Sequence, residues 1–326
     1  MKHTTFTNRF FIVALLAASA LFLGACNSEK KDIRLGSGNK GGVYDRFTVS
    51  FATEFNNRSQ DIQIQPKNTA GSAANIRLLE EGFIDLGIVQ ADILKDHLMR
   101  SRKVSAISAV AGLYTESIQI VVSADSHIRT VADLQGHKVS VGEEESGVLR
   151  NAEIILEAYG IALEKIDARY LSFKNAAEAL KAGEIDAFFC TAGVPTPSIS
   201  ELAASKSIRI IPLDSLDAER IMNLHPELTA SKIPAGTYAG QDSAVQTLGA
   251  KAVLVASQLL DSASVARISE SIFAGSATGT PSMEFATTNI PVGFHPGAAA
   301  FYKGKNTSVD VVPPLPGRGP IPSTGD

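Results

Sequence analysis

From Asp32 onward, short runs of apolar and β-branched residues alternate with longer stretches whose apolar positions recur every three or four residues. A chain that switches repeatedly between these two periods predicts an α/β fold of strand–helix units. Asp32 to Leu35 reads as a strand, followed by a glycine-rich turn and a helix near Val43 to Phe55. Ile62 to Gln65 is a second strand. Ser72 stands as the N-cap of a helix through Glu81, with Gly82 as its stop, and Phe83 to Gln90 follows as a buried strand.

The same order returns further along. Lys138 to Val141 is a strand entering a loop from Gly142 to Gly147, and a helix runs from Val148 to Tyr159, stopped by Gly160. Ala168 to Leu171 is the next strand, and Ser172 caps a helix that Gly183 ends. Leu79-Glu80-Glu81-Gly82-Phe83-Ile84-Asp85 parallels Leu180-Lys181-Ala182-Gly183-Glu184-Ile185-Asp186. In that register Gln90 falls opposite Thr191, and Gly36 and Gly41 fall roughly opposite Gly142 and Gly147. Two lobes of like topology follow. Beyond them come a strand over Ile208 to Leu213, a helix over Leu216 to Leu224, a strand over Ala252 to Ala256 and a helix over Val265 to Phe273. The remainder is expected to return to the first lobe and end near Tyr302. The implied division is 32–116 with 258–302 as lobe 1 and 117–257 as lobe 2. From Lys303 to residue 326 the chain turns to Pro, Gly, Ser and Thr, including Val312-Pro313-Pro314-Leu315-Pro316, and is expected to be a disordered tail.

The first residues carry a different pattern. Lys2 and Arg9 precede an apolar stretch from Phe10 to Leu23, too short for a comfortable bilayer span and suited to a signal peptide over 1–25. It ends in Leu23-Gly24-Ala25-Cys26, which resembles the bacterial lipobox. That resemblance implies export, lipidation of Cys26 (palmitate among the acyl chains) and a periplasmic protein anchored to a bacterial membrane. Residue 27 is Asn, not Asp, so the commonest inner-membrane retention signal is absent. The chain has two cysteines; with Cys26 lipidated, Cys190 has no intramolecular partner, and its apolar run Ile185-Asp186-Ala187-Phe188-Phe189-Cys190 predicts a buried, inert thiol.

Composition narrows the function. Of 326 residues, 44% are hydrophobic and 20% charged, with a net charge of −4. That balance, with no basic cluster near aromatics, argues against nucleic acid. Gly36-Ser37-Gly38-Asn39-Lys40-Gly41 fits G-x-G-x-x-G, but the second strand ends in Pro66-Lys67-Asn68 where a dinucleotide site needs an acid, so no cofactor is expected. The physics of the turn survives. Glycine-rich openings at Gly38 to Tyr44, Thr69 to Asn75 and Ser146 to Leu149 leave first-turn N–H groups unpaired and aim positive dipole ends outward, which suits a carboxylate or phosphate. No H-E-x-x-H, no G-x-S-x-G and no metal-ligand spacing occurs. Asp85 and Asp186 start strands, where capping suffices, and His295 precedes Pro and Gly in a structural turn. No catalytic residue and no metal ligand is expected.

An ordered series of motifs resembles the TAXI solute receptors of TRAP transporters. It includes Gly36-Ser37-Gly38 with Gly41-Gly42-Val43-Tyr44, Thr69-Ala70-Gly71-Ser72 with Asn75, and Val89-Gln90-Ala91-Asp92. It continues through Leu113-Tyr114, Asp133-Leu134-Gln135-Gly136, Ala158-Tyr159-Gly160, Ala192-Gly193-Val194-Pro195-Thr196, Tyr238 with Gln241, and His295-Pro296-Gly297-Ala298. The resemblance implies an α/β, two-lobed type II periplasmic binding protein fold with a hinge and an interlobe cleft. It implies a small ligand, a carboxylate or amino acid such as glutamate or 2-oxoglutarate, and a TRAP permease as membrane partner. A sensor of the same fold, signalling to a membrane protein, is the alternative. By position, the ligand contacts implied are Gly41, Gly42, Tyr44, Ser72, Asn75, Gln90, Tyr114, Ser146, Gly147, Val148, Thr191, Gly193 and Pro195. One departure stands out: the second glycine loop, usually small and neutral, reads Gly142-Glu143-Glu144-Glu145-Ser146-Gly147-Val148. Three glutamates facing the cleft would oppose an anion and favour a zwitterionic, neutral or cationic solute; facing solvent, they would not matter.

Overall fold

Strand β1 (Lys31–Gly36) buries Ile33 and Leu35 completely. The computed structural model describes residues 30–101, 105–274, 279–313 and 315. After β1 come α1 (Val43–Arg58), β2 (Ile62–Lys67), α2 (Ser72–Glu80) and β3 (Leu86–Gln90). The three strands pair in parallel in the order β2-β1-β3. On α1, Phe47, Phe51 and Phe55 share one face at four-residue spacing, with successive ring centroids 5.7 and 6.1 Å apart. Helix α3 (Ala91–Arg100) leaves β3 without a linker.

The second unit repeats the first. It consists of β5 (Lys138–Ser140), α4 (Gly147–Ala158), β6 (Asp167–Arg169), α5 (Phe173–Ala182) and β7 (Ala187–Ala192), paired in parallel as β6-β5-β7. The correspondence expected from the helix–Gly–strand echoes is thus present in the topology. Asp85 and Asp186 hold equivalent places: each accepts a backbone N–H, from Arg34 and Lys138 respectively, at 2.8 Å, which ties the start of one strand to its neighbour.

Two long antiparallel strands join the units. β4 (Ile107–Ser123) pairs with β10 (Val245–Ser257) from Ile107 to Ser117 and with β7 from Ser117 to Val122. Conversely, β10 lies on β3 through Ala252 to Ala256 and on β9 (Thr229–Ile233) through Val245 to Gly249. The sheet therefore runs β2-β1-β3-β10-β4-β7-β5-β6, with β8 (Ile208–Ile211) on β4. The second passage between lobes falls inside β10, between Gly249 and Ala252, rather than after residue 257 as the sequence division places it. Each lobe has its own core, one around Leu35, Phe51 and Tyr302, the other around Val139, Ile155 and Phe188. The expected two-lobed α/β fold is the one observed.

Helices α6 (Pro197–Ser205), α7 (Ser215–Leu224), α8 (Ser262–Ala274), α9 (Met283–Thr287) and α10 (Pro296–Gly304) complete the molecule. Two local expectations are corrected. Ser72 is the first helical residue of α2 rather than its cap; Gly71 takes the cap at φ 127°, a conformation closed to a side chain, and the Ser72 hydroxyl instead accepts the Gln90 N–H at 3.0 Å. The chain after Lys303 is also not unstructured at once. Val311 bridges Phe294, the Val312 N–H donates to the Phe294 carbonyl at 3.0 Å, and Val312 is buried. The rest of that tail, the leader and Cys26 lie outside the described residues. Among the described residues no helix is long and apolar enough to cross a membrane.

Candidate functional site

Three helix starts from the two lobes face one space. α1 opens after Gly42 and α2 after Gly71, both at carboxyl ends of lobe 1 strands; α4 opens after Ser146 at the end of β5. The first N–H groups of an α-helix have no intrahelical acceptor. Ser146 caps one of them, its hydroxyl accepting from the Leu149 N–H at 3.1 Å, and Gly147 and Val148 lie at the cavity wall. Gln90 ends β3, Thr191 and Ala192 end β7, and Glu116 lies where β4 passes between lobes. The cavity they line has about 350 Å³ of space free of protein atoms, the open solvent at its mouth included.

Contacts between the two lobes surround it. The Ala74 N–H donates to the Glu145 carbonyl at 3.1 Å, and the Arg77 guanidinium grips both Glu145 carboxylate oxygens at 2.8 and 3.0 Å. The Phe173 N–H reaches Asn39 Oδ1 at 3.3 Å, and Asn151 Nδ2 donates to Asp92 Oδ2 at 2.7 Å. Lys95 pairs with Glu227 at 2.8 Å. Each of these contacts crosses the cleft.

Of the residues expected at a ligand, Gly42, Tyr44, Ser72, Gln90, Ser146, Gly147, Val148 and Thr191 line this cavity. The others stand behind it. Asn75 is fully buried, and its amide donates to the Ser37 and Ile88 carbonyls at 2.7 and 2.8 Å, holding the first glycine loop on β3. The Gly41 carbonyl accepts from the Ser198 N–H at 3.4 Å, the Gly193 carbonyl accepts the Thr196 hydroxyl at 2.9 Å, and Pro195 follows a cis peptide. The Tyr114 ring packs 6.4 Å from Phe47, and its hydroxyl is buried without a partner among the described residues.

The glutamate loop does not turn into the cavity. Glu144 and Glu145 are exposed, Glu145 (φ 58°) engages Arg77, and Glu143 sits at an outer groove with Asn39, Lys40 and Lys174. The residue that does bring an acid to the floor is Glu116, which sequence reasoning passed over. It is 2% exposed, and one of its oxygens accepts the Tyr44 hydroxyl at 2.7 Å. Burial pushes its pKa up to about 8; Tyr44 and Gln90 pull it down, and the Asp92 charge pushes it up. Burial, with Glu116 nearby, also drives the Tyr44 and Tyr114 phenols well above their ordinary range. A lone acid in the apolar run of β4 was the available signal. Asn39 and Phe173, also on the wall, gave none.

Two residues with other chemical potential are engaged structurally. His295 caps α10, its Nδ1 accepting the Gly297 N–H at 3.1 Å while Nε2 meets the Leu260 carbonyl at 2.9 Å, and burial lowers its pKa. Cys190 is buried in β7, and burial pushes its thiol far up.

The sequence profile described as the NMT1-like family matches residues 35–305. The chain belongs to that family. Among solved structures, it is similar to a protein of Bordetella bronchiseptica RB50 at a TM-score of 0.53 and 17% identity, over 87% of this chain and 85% of that one. It also matches the periplasmic aliphatic sulphonate binding protein SsuA from Escherichia coli at a TM-score of 0.43 and 19% identity, covering 71% of this chain and 66% of the other. A putative L-cystine ABC transporter structure from Listeria monocytogenes gives 0.49 and 16% identity, over 74% of this chain and 89% of that chain. The match to the SsuA structure thus spans slightly less than two thirds of that chain's length. At these identities the likeness concerns fold.

Proposed function

We propose that this protein is an extracytoplasmic solute receptor of the TAXI class. It binds a small organic acid or amino acid between its lobes and hands it to a TRAP-type permease. The observation that carries the reading is the convergence of first-turn N–H groups from both lobes on one cavity that lies against the strands joining them. Donors of that kind hold a carboxylate without a cationic side chain, and their division between lobes makes closure depend on the guest. Membership of the NMT1-like family and the ordered motifs quoted above support the same reading. The leader and Cys26 add export and a lipid anchor to the proposal. The buried polar groups at the wall serve recognition rather than turnover.

Thermal-shift screening of the chain from residue 27 against organic acids and amino acids tests binding. A guest that prefers the folded, closed form raises the melting point with concentration. Deletion of the gene should abolish uptake of that guest. Intact uptake with a lost transcriptional or chemotactic response would assign the sensor role instead, and conversion of the guest to a product would refute the receptor reading.

A further inference from the structure

The cavity is chemically uneven. The helix starts offer donors, whereas the floor offers acceptors. Glu116 is buried there, and beside it Gln90 Oε1 and Thr191 Oγ1 are buried with no partner among the described residues. Buried polar atoms in folded proteins are almost always paired, so unpaired ones at a cavity wall mark where a guest completes the set. Among the described residues no Lys or Arg lines the cavity.

We infer that Glu116, Gln90 and Thr191 form a cradle for a primary ammonium group, so the solute is a zwitterion such as an amino acid, with its carboxylate at the helix starts. This rests on the receptor reading of the same cavity. An ammonium carries three N–H donors and no acceptor, and each of the three groups at the wall can accept from it: the Gln90 carbonyl oxygen as it stands, the Thr191 hydroxyl with its proton turned away, and Glu116 once ionised. A dicarboxylate or oxo acid would instead set an anion or a carbonyl against the Gln90 carbonyl oxygen, which has no proton to give.

The surroundings fix the expected titration. Tyr44 faces Glu116 from α1, Tyr114 from its own strand, Asp92 from α3 and Cys190 from β7. Lys251 on β10 turns away, donating to the Phe285 and Thr288 carbonyls at 2.8 and 2.7 Å. With Glu116 pushed up to about 8 by burial, its protonated form is favoured at neutral pH. An arriving ammonium favours the ionised form, so binding at neutral pH releases a proton from Glu116.

The test uses the chain from residue 27, its Glu116→Gln variant, and matched pairs of each amino acid with its deaminated analogue, such as glutamate with glutarate and alanine with propionate. Calorimetry runs in phosphate and in Tris, whose different ionisation enthalpies count the protons. Expected are binding by amino acids, roughly 100-fold or more weaker binding by the analogues, and proton release that vanishes in Glu116→Gln together with most of that preference. Melting of the unliganded variant shows whether it is folded; if it is not, the wild-type proton count and pairwise preference decide. Analogues that bind as tightly as amino acids, or binding with proton uptake or none, overturn the cradle while leaving the receptor reading intact. If nothing in the panel binds, both readings fall.

Discussion

Replacing Gly147 with alanine is expected to weaken solute binding while leaving the free protein as stable as before. A Cβ at this position would stand 1.9 Å from Gln90 Oε1, 2.6 Å from Gln90 Cδ and 3.1 Å from Ser72 Oγ. The first contact lies more than an ångström inside van der Waals separation. Gln90 and Ser72 belong to lobe 1 and Gly147 to lobe 2, so the overlap exists only when the lobes are together. Gln90 is 2% exposed and cannot swing into solvent without giving up its place at the floor. Overpacking of this kind costs about 1–3 kcal/mol, which becomes roughly 5- to 150-fold in dissociation constant because the cost is confined to the bound form. The open form is unaffected, since alanine suits the first turn of α4 better than glycine does. Titration calorimetry with a confirmed guest reads the affinity, and thermal melting without guest reads the stability. A double-mutant cycle sharpens the test: in a Gln90→Ala background the added methyl meets far less, and its cost is expected to shrink. Full affinity in Gly147→Ala, or an equal loss in both backgrounds, would refute the reasoning.

Arg77→Ala removes the bidentate grip on Glu145; both side chains are 47% exposed, so affinity is expected to fall only about two- to fivefold, less at high salt, as read by calorimetry across ionic strengths. The buried acids give the unliganded protein a definite pH slope. Burial raises Glu116 to about 8 and Asp92 to about 6, so the folded form binds more protons than the unfolded chain, and stability falls as pH rises from about 4 to 8. Melting points taken across that range are expected to drop, and Glu116→Gln is expected to flatten the upper part; a rising profile would contradict the burial of these groups. Cys190 is expected to ignore a disulfide reagent in the native chain from residue 27 and to react fully in denaturant, as a colour assay would report.

The two repeating units were legible because each helix and strand in them has one wet face. Periodicity, the Ser172 cap and the Gly183 stop, at φ 75°, therefore stand out. The joining strands have no such face. Residues 107–113 of β4 and 247–250 of β10 are buried without interruption, so alternation is lost, and the sequence yields only the Ala252 to Ala256 part of β10. The helix openings were found from glycines and caps, which are local signals. Glu116 was not found, since its meaning depends on a tyrosine 72 residues away and on two unpaired groups from different strands. The glutamate loop shows the converse. Three charges in a row invite an electrostatic reading, yet a left-handed backbone at Glu145 and the reach of Arg77 carry them outside.

Because β4 and β10 belong to both lobes, relative motion of the lobes is a rotation about that pair of strands. Displacement in such a motion grows with distance from the axis. Glu116, opposite Ala250 at the passage itself, would travel less than the starts of α1 and α4, which lie off the two strands. A solute can thus be met by the less mobile anchor in the gaping molecule and have its other end gathered in only as the jaws swing shut, which gives arrival and capture a fixed sequence.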